Sequence, residues 1–231
     1  MSAASQVEQP ESALVRKHSV ATRWFHWVNF PVLGVMIWSG LLIYWSYSFR
    51  DAYKIQFGKT VIFQFFPDWF NTALHLDRRL AEGLGWHFAV MWIFMVNGLL
   101  YVAYVGFSQE WKHLVPARGA VKEAIQVVLY DLKLSKTHPP VKKFNAAQQF
   151  AYCSIIVAGA GSMFTGLAVY KPVQLAWLTW AFGGYETARL IHFILTLGYL
   201  GFFVVHVAQV VRAGWNNFRS MITGYEVIKK A

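Results

Sequence analysis

A single cysteine, Cys153, is the whole thiol content of the 231 residues. That excludes an internal disulfide, a CxxCH haem-attachment motif and a four-cysteine cluster. Cys153 itself lies in an apolar run and reads as a small buried hydrophobe. Charge is also scarce: 14% of residues are charged, against 56% hydrophobic and 18% aromatic. This balance belongs to a membrane protein and not to a soluble domain built on one core. No repeat, low-complexity tract or linker to a second domain interrupts the chain. No cleavable signal is expected, because residues 1–21 are polar and the apolar run after them is too long for a signal core. No span is broken at its middle by the Gly/Pro interruption of a midplane transport site.

What the chain does contain is four apolar runs long enough to cross a bilayer, at roughly 22–46, 84–107, 148–170 and 188–212. The expectation is one all-α membrane domain over 1–231, a bundle of four transmembrane helices. The formal net charge of +10 would suggest nucleic acid in a soluble protein; here its distribution gives orientation instead. Fourteen of the 21 lysines and arginines fall at the N-terminal end, in loop 108–147 or from Arg212 onward, and seven on the other side. That bias places both termini in the cytoplasm. Two stretches read as short interfacial pieces, TVIFQFFPDWF (60–70), broken by Pro67, and VQLAWLTWAFGG (173–184). A third, at about 117–134, puts Val121, Ile125, Val128, Leu129 and Leu132 on one face, as in an amphipathic helix on an anionic leaflet.

Four histidines lie inside the spans, where an ionisable side chain is expensive enough to imply a function. The last span holds His192 and His206, fourteen residues apart, which is about 21 Å along a helix and roughly 40° short of whole turns. His26 enters from the cytoplasmic end of span one, and His87 from the opposite end of span two. By depth they form two pairs, His26 with His206 and His87 with His192, each drawing one member from the last span. Paired imidazoles without a cysteine or carboxylate suit a haem iron with both axial positions filled, which leaves the iron to carry electrons. Zinc would require three or four ligands at one depth. The bland alternative is four polar residues that hydrogen-bond between helices.

Arg23 and Arg189 each precede a histidine by three residues, one turn nearer to water. Each could pair with a haem propionate or simply snorkel to the interface. Gly40, fourteen residues after His26, could serve close helix packing or leave room for a flat cofactor. The small residues of span three (Ala158 to Ser162, and Gly166) admit a neighbouring helix or a cofactor in the same way. His75 reads as solvated, and His113 and His138, in a polar loop, are given no role.

The run TRWFHW, HFAVMWIFMVNGLLY in span two, KFNAAQQFAY entering span three, GYETARLIHF with the later His206, and the closing MITG together resemble the cytochrome b561-like family. That family includes the di-haem cytochrome b subunits of nickel–iron hydrogenases, formate dehydrogenases and thiosulfate reductase-type molybdopterin enzymes. The likeness covers nearly all of 18–224. It implies two b haems, one nearer the cytoplasm on His26 and His206 and one nearer the periplasm on His87 and His192. It also implies a quinone site by the cytoplasmic-side haem, with Asn145 and Gln148 as the matching residues, although Asn145 would equally cap the third span. The implied role is electron transfer in the bacterial inner membrane between the quinone pool and a periplasmic oxidoreductase of molybdopterin type. The alternatives are a self-standing quinol oxidase feeding a soluble periplasmic cytochrome, and a haem-free anchor or assembly protein. Loop 47–83 is longer than in the shortest members of the family and could meet a periplasmic partner.

Overall fold

The computed structural model describes residues 12–47, 53–137 and 144–229; His138 lies outside these. In chain order the elements are β1 (Ser12–Arg16), α1 (Val20–Tyr47), β2 (Lys54–Phe57), β3 (Thr60–Gln64), α2 (Asp68–Leu74) and α3 (Leu80–Phe107). There follow α4 (Trp111–Leu114), α5 (Ala120–Asp131), α6 (Ala146–Tyr170), α7 (Ala176–Ala181), α8 (Tyr185–Thr223) and β4 (Tyr225–Lys229). Helices α1, α3, α6 and α8 are long and apolar enough to cross a membrane. Their outward faces carry exposed Ile93, Val96, Leu99 and Leu100 on α3 and Phe203, Val204, Val205 and Val211 on α8, as expected where lipid is the solvent. The four expected spans are present. Pro31 lies within α1, which runs on through it.

The all-α membrane architecture is borne out, with two small strand pairs added to it. Residues 60–70 do not form one interfacial segment: Thr60–Gln64 pairs antiparallel with β2, and a short helix starts only after Pro67. Alternating β-branched and aromatic residues around the Gly58 turn, where φ is +60°, favour a hairpin. The second is a two-stranded antiparallel sheet formed by β1 and β4, from Ser12 opposite Lys229 to Arg16 opposite Tyr225. The segment after the last span stays helical, with a break at Gly214, whose φ of 82° is left-handed.

Contacts divide the chain into two compact units, Val28–Tyr199 and the end segments Met1–Trp27 with Leu200–Ala231. Within the first, Leu42, Trp45 and Leu76 form one buried cluster and Ala168, Leu178 and Ala188 another. Helices α1 and α3 approach closely at Gly83, where a Cβ would stand 2.9 Å from Leu42 Cβ and 3.1 Å from the Ser39 carbonyl. The same pair of helices is tied by a 2.9 Å hydrogen bond that Asn97 Nδ2 donates to Asn29 Oδ1, with Asn97 buried. On α5, Ala120 and Val127 are buried, while Val121, Ile125, Val128, Leu129 and Leu132 face outward.

In the second unit, the end segments clasp one another. Lys17 and His18 donate backbone N–H groups to the Gly224 carbonyl at 2.8 and 3.2 Å. Arg23 Nη1 donates to the Ile222 carbonyl at 2.5 Å and Trp27 Nε1 to the Met221 carbonyl at 3.0 Å. These are the carbonyls that a helix C-terminus leaves without internal partners. Lys17 also pairs with Glu226 at 2.9 Å, and the Asn216 amide brackets the backbone of Val227 through both its atoms. The run beginning TRW and the closing MITG are thus two halves of one contact. Gly224 is required in it: its φ is +91°, and a Cβ would stand 3.3 Å from the Arg23 guanidinium.

Candidate functional site

Each unit brings together one of the histidine pairs read from the sequence. In the first, His87 on α3 and His192 on α8 face each other with ring centres 6.2 Å apart and planes at 72°. In the second, His26 on α1 and His206 on α8 stand 6.1 Å apart at 54°. A metal–imidazole bond of about 2 Å on either side, with roughly 1 Å more to each ring centre, sets two axial rings about 6 Å apart. Both pairs have that separation. Among the described residues no three His, Cys, Asp or Glu side chains group around a common metal position; each pair offers two imidazoles, the donors that an axially filled haem takes.

The His87/His192 pair is held by a surrounding shell that sequence reading did not identify. Ser39 Oγ on α1 lies 2.9 Å from His87 Nδ1 and donates its own proton to the Val35 carbonyl at 2.7 Å. Thr165 Oγ1 on α6 lies 3.0 Å from His192 Nδ1 and donates to the Gly161 carbonyl at 2.7 Å. A hydroxyl has one proton. With it spent on the preceding turn, each oxygen accepts from Nδ1–H, an arrangement that leaves Nε2 unprotonated and free to bind a metal. Both hydroxyl residues are fully buried.

The residue after each hydroxyl is a glycine lying against the same ring. A Cβ on Gly40 would stand 3.6 Å from His87 Cε1, and one on Gly166 3.3 Å from His192 Cε1. Gly40, singled out from sequence, is therefore beside the His87 ring. The signal that could have found the shell is a short internal similarity, Trp38-Ser39-Gly40-Leu41 against Phe164-Thr165-Gly166-Leu167.

The His26/His206 pair is built differently. His26 Nδ1 is buried and has no hydrogen-bond partner among the described residues. His206 stacks on Phe202 with centres 5.7 Å apart and planes at 6°, and Trp27 packs edge-on to His26 at 5.1 Å.

The remaining candidates have protein partners. Arg23 is engaged in the clasp on Ile222, and Arg189 pairs with Glu186 at 2.7 Å. Asn145 and Gln148 form a reciprocal capping box at the start of α6: Asn145 Oδ1 accepts from the Gln148 N–H at 2.9 Å, and Gln148 Oε1 from the Asn145 N–H at 3.0 Å. The cap uses the two acceptor oxygens. It leaves the amide NH2 groups, the donors that a quinone carbonyl would need. His75 and His113 are exposed.

A second feature missed in the sequence lies next to His192. Phe193 stacks on Tyr44 at 5.2 Å and 14° and meets Tyr53 at 4.5 Å. The Tyr44 hydroxyl accepts from the Tyr53 N–H at 2.9 Å and donates to the Phe65 carbonyl at 3.3 Å, stapling the feet of the β2–β3 hairpin. The hairpin is thereby anchored beside a histidine of the first pair, with Ile55, Phe57, Val61, Ile62 and Phe63 exposed on it.

A family model described as prokaryotic cytochrome b561 matches residues 17–224. The chain is also similar to a protein of Azospira oryzae with the provisional name protein-methionine-sulfoxide reductase subunit YedZ1. The two are 32% identical over 186 residues, covering 80% of this chain and 85% of the relative.

Proposed function

Because the chain belongs to the prokaryotic cytochrome b561 family, we propose that it binds two b haems, on His26 with His206 and on His87 with His192. In this reading it passes electrons between the membrane quinone pool and a periplasmic oxidoreductase. The protein is a multi-pass electron-transfer component of the bacterial inner membrane. The observation that carries the two-haem reading is the pair of ring separations, 6.1 and 6.2 Å, in two separate units. A haem bound between two imidazoles supplies one-electron chemistry with no open coordination site. The protein's part is to hold the rings, exclude water and keep the ligating nitrogens unprotonated.

The quinone is assigned to the cytoplasmic side, with the amide NH2 groups of Asn145 and Gln148 as the donors to its carbonyl oxygens. Oxidation of quinol there would release protons to the cytoplasm. On the other side the hairpin fastened to Tyr44 and Phe193 is the assigned docking element for the partner. A periplasmic enzyme of molybdopterin type is favoured, since the relative's name makes it a subunit of a protein-methionine-sulfoxide reductase.

The test is reduction by a soluble quinol analogue of purified protein reconstituted in liposomes, followed in the haem absorption bands. Wild type is expected to be reduced by the quinol, with His26→Ala and His206→Ala blocking entry of electrons while leaving the other haem reducible by dithionite. Failure of quinol to reduce a fully haem-loaded wild-type protein would contradict the quinone assignment.

A further inference from the structure

We propose that Ser39 and Thr165 are positioning residues for the His87/His192 haem, locking each axial imidazole as the Nδ1–H tautomer and lowering the midpoint potential of that haem relative to one without such partners. The proposal rests on the reading of His87 and His192 as axial ligands, and goes beyond it in assigning two residues and the property they set.

A buried serine or threonine in a helix often bonds the carbonyl four residues back, and such a contact alone would be structural. Here each hydroxyl has another partner, and at both sites that partner is a histidine Nδ1. The two hydroxyls come from different helices, α1 and α6. They reach histidines on two others, α3 and α8, and each is followed by a glycine that lets the ring lie against its helix. The arrangement therefore occurs twice around one candidate iron, once per axial ligand. A hydrogen-bond acceptor on Nδ1–H makes the opposite nitrogen more basic. The more basic ligand favours ferric over ferrous iron, which lowers the potential. His26 Nδ1 has no such acceptor among the described residues, so the two haems are tuned differently.

Carbonyls provide a second, weaker support. The Met36 carbonyl faces His87 and the Ser162 carbonyl faces His192, so a variant lacking one hydroxyl keeps an acceptor for the tautomer. Haem retention with an altered potential is accordingly the expected phenotype.

The experiment is a redox titration of purified wild type, Ser39→Ala, Thr165→Val and the double variant, with haem content and low-spin ferric electron paramagnetic resonance recorded on each. One midpoint is expected to rise in each single variant, by up to about tenfold in the reduction equilibrium or about 59 mV for one electron. The double variant moves the same midpoint further, since the two hydroxyls act on opposite ligands of one iron. The second haem stays in place, and Ser39→Thr and Thr165→Ser restore the wild-type value. Should the apolar variants lose haem, Ser39→Cys, whose thiol is a weak acceptor, carries the test with the same expected sign. Full haem content with both midpoints and both resonance signals unchanged would overturn the proposal. Failure of the underlying reading is distinguishable, because it shows as wild-type haem content in His87→Ala.

Discussion

At the scale of single residues, what lies against each histidine decides how its ring is held. Gly166 leaves less room than Gly40: a methyl group would stand 3.3 Å from the His192 ring but 3.6 Å from the His87 ring. Gly166→Ala is therefore expected to tilt His192 and change the low-spin resonance of its haem, whereas Gly40→Ala changes it less. Equal effects, or a larger one at Gly40, would count against this placement. The four histidines were legible in the sequence because ionisable groups in apolar runs are conspicuous, and the helical repeat ranks them by depth. Ser39 and Thr165 were not legible. A buried hydroxyl in a span is unremarkable until the imidazole beside it is known, and no periodicity ties α1 to α3 or α6 to α8.

At the scale of elements, the long helices could be read from hydropathy, but the strands could not. β1 and β4 pair across nearly the whole length of the chain, and β2 with β3 is only nine or so residues of hairpin amid apolar sequence that equally suits an interfacial segment. A Cβ on Gly83 would meet the Ser39 carbonyl and Leu42 Cβ, backbone and stem atoms that have little freedom to move. Gly83→Ala should therefore force α1 from α3 and lower thermal stability by about 1–3 kcal/mol, as overpacking does; an unchanged melting temperature would contradict the close approach.

The clasp is expected to respond to pH through His18. Burial lowers its pKa, with the neighbouring positive charge of Lys17 acting in the same direction and Glu226 opposing it. A lowered pKa means that the unfolded chain binds the proton more readily, so the contribution to stability is complete above the unfolded value near 6.5. It is lost as pH falls through the folded one. Amide exchange at Lys17 and His18, corrected for its intrinsic pH dependence, should speed up as pH drops below 6.5 in wild type and not in His18→Gln. Equal behaviour in both would remove His18 from the clasp's control. Gly224→Ala should loosen the same clasp at every pH, since a left-handed residue with a Cβ costs about 1–2 kcal/mol.

At the scale of the whole molecule, composition marks a membrane protein, and the distribution of lysine and arginine gives its expected orientation. Reporter fusions at the C-terminus and within loop 47–83 test that orientation: the C-terminal fusion should be active only with a cytoplasmic reporter and the loop fusion only with a periplasmic one. The central claim is that two pairs of histidines hold two haems. The most direct measurement is haem per polypeptide, by pyridine haemochrome, on purified wild type and four single His→Ala variants. The account predicts two b haems in wild type. One of them is lost in both His26→Ala and His206→Ala, and the other, with its own spectrum and midpoint, in both His87→Ala and His192→Ala. A single haem in wild type, or a loss pattern that crosses the pairs, would contradict it.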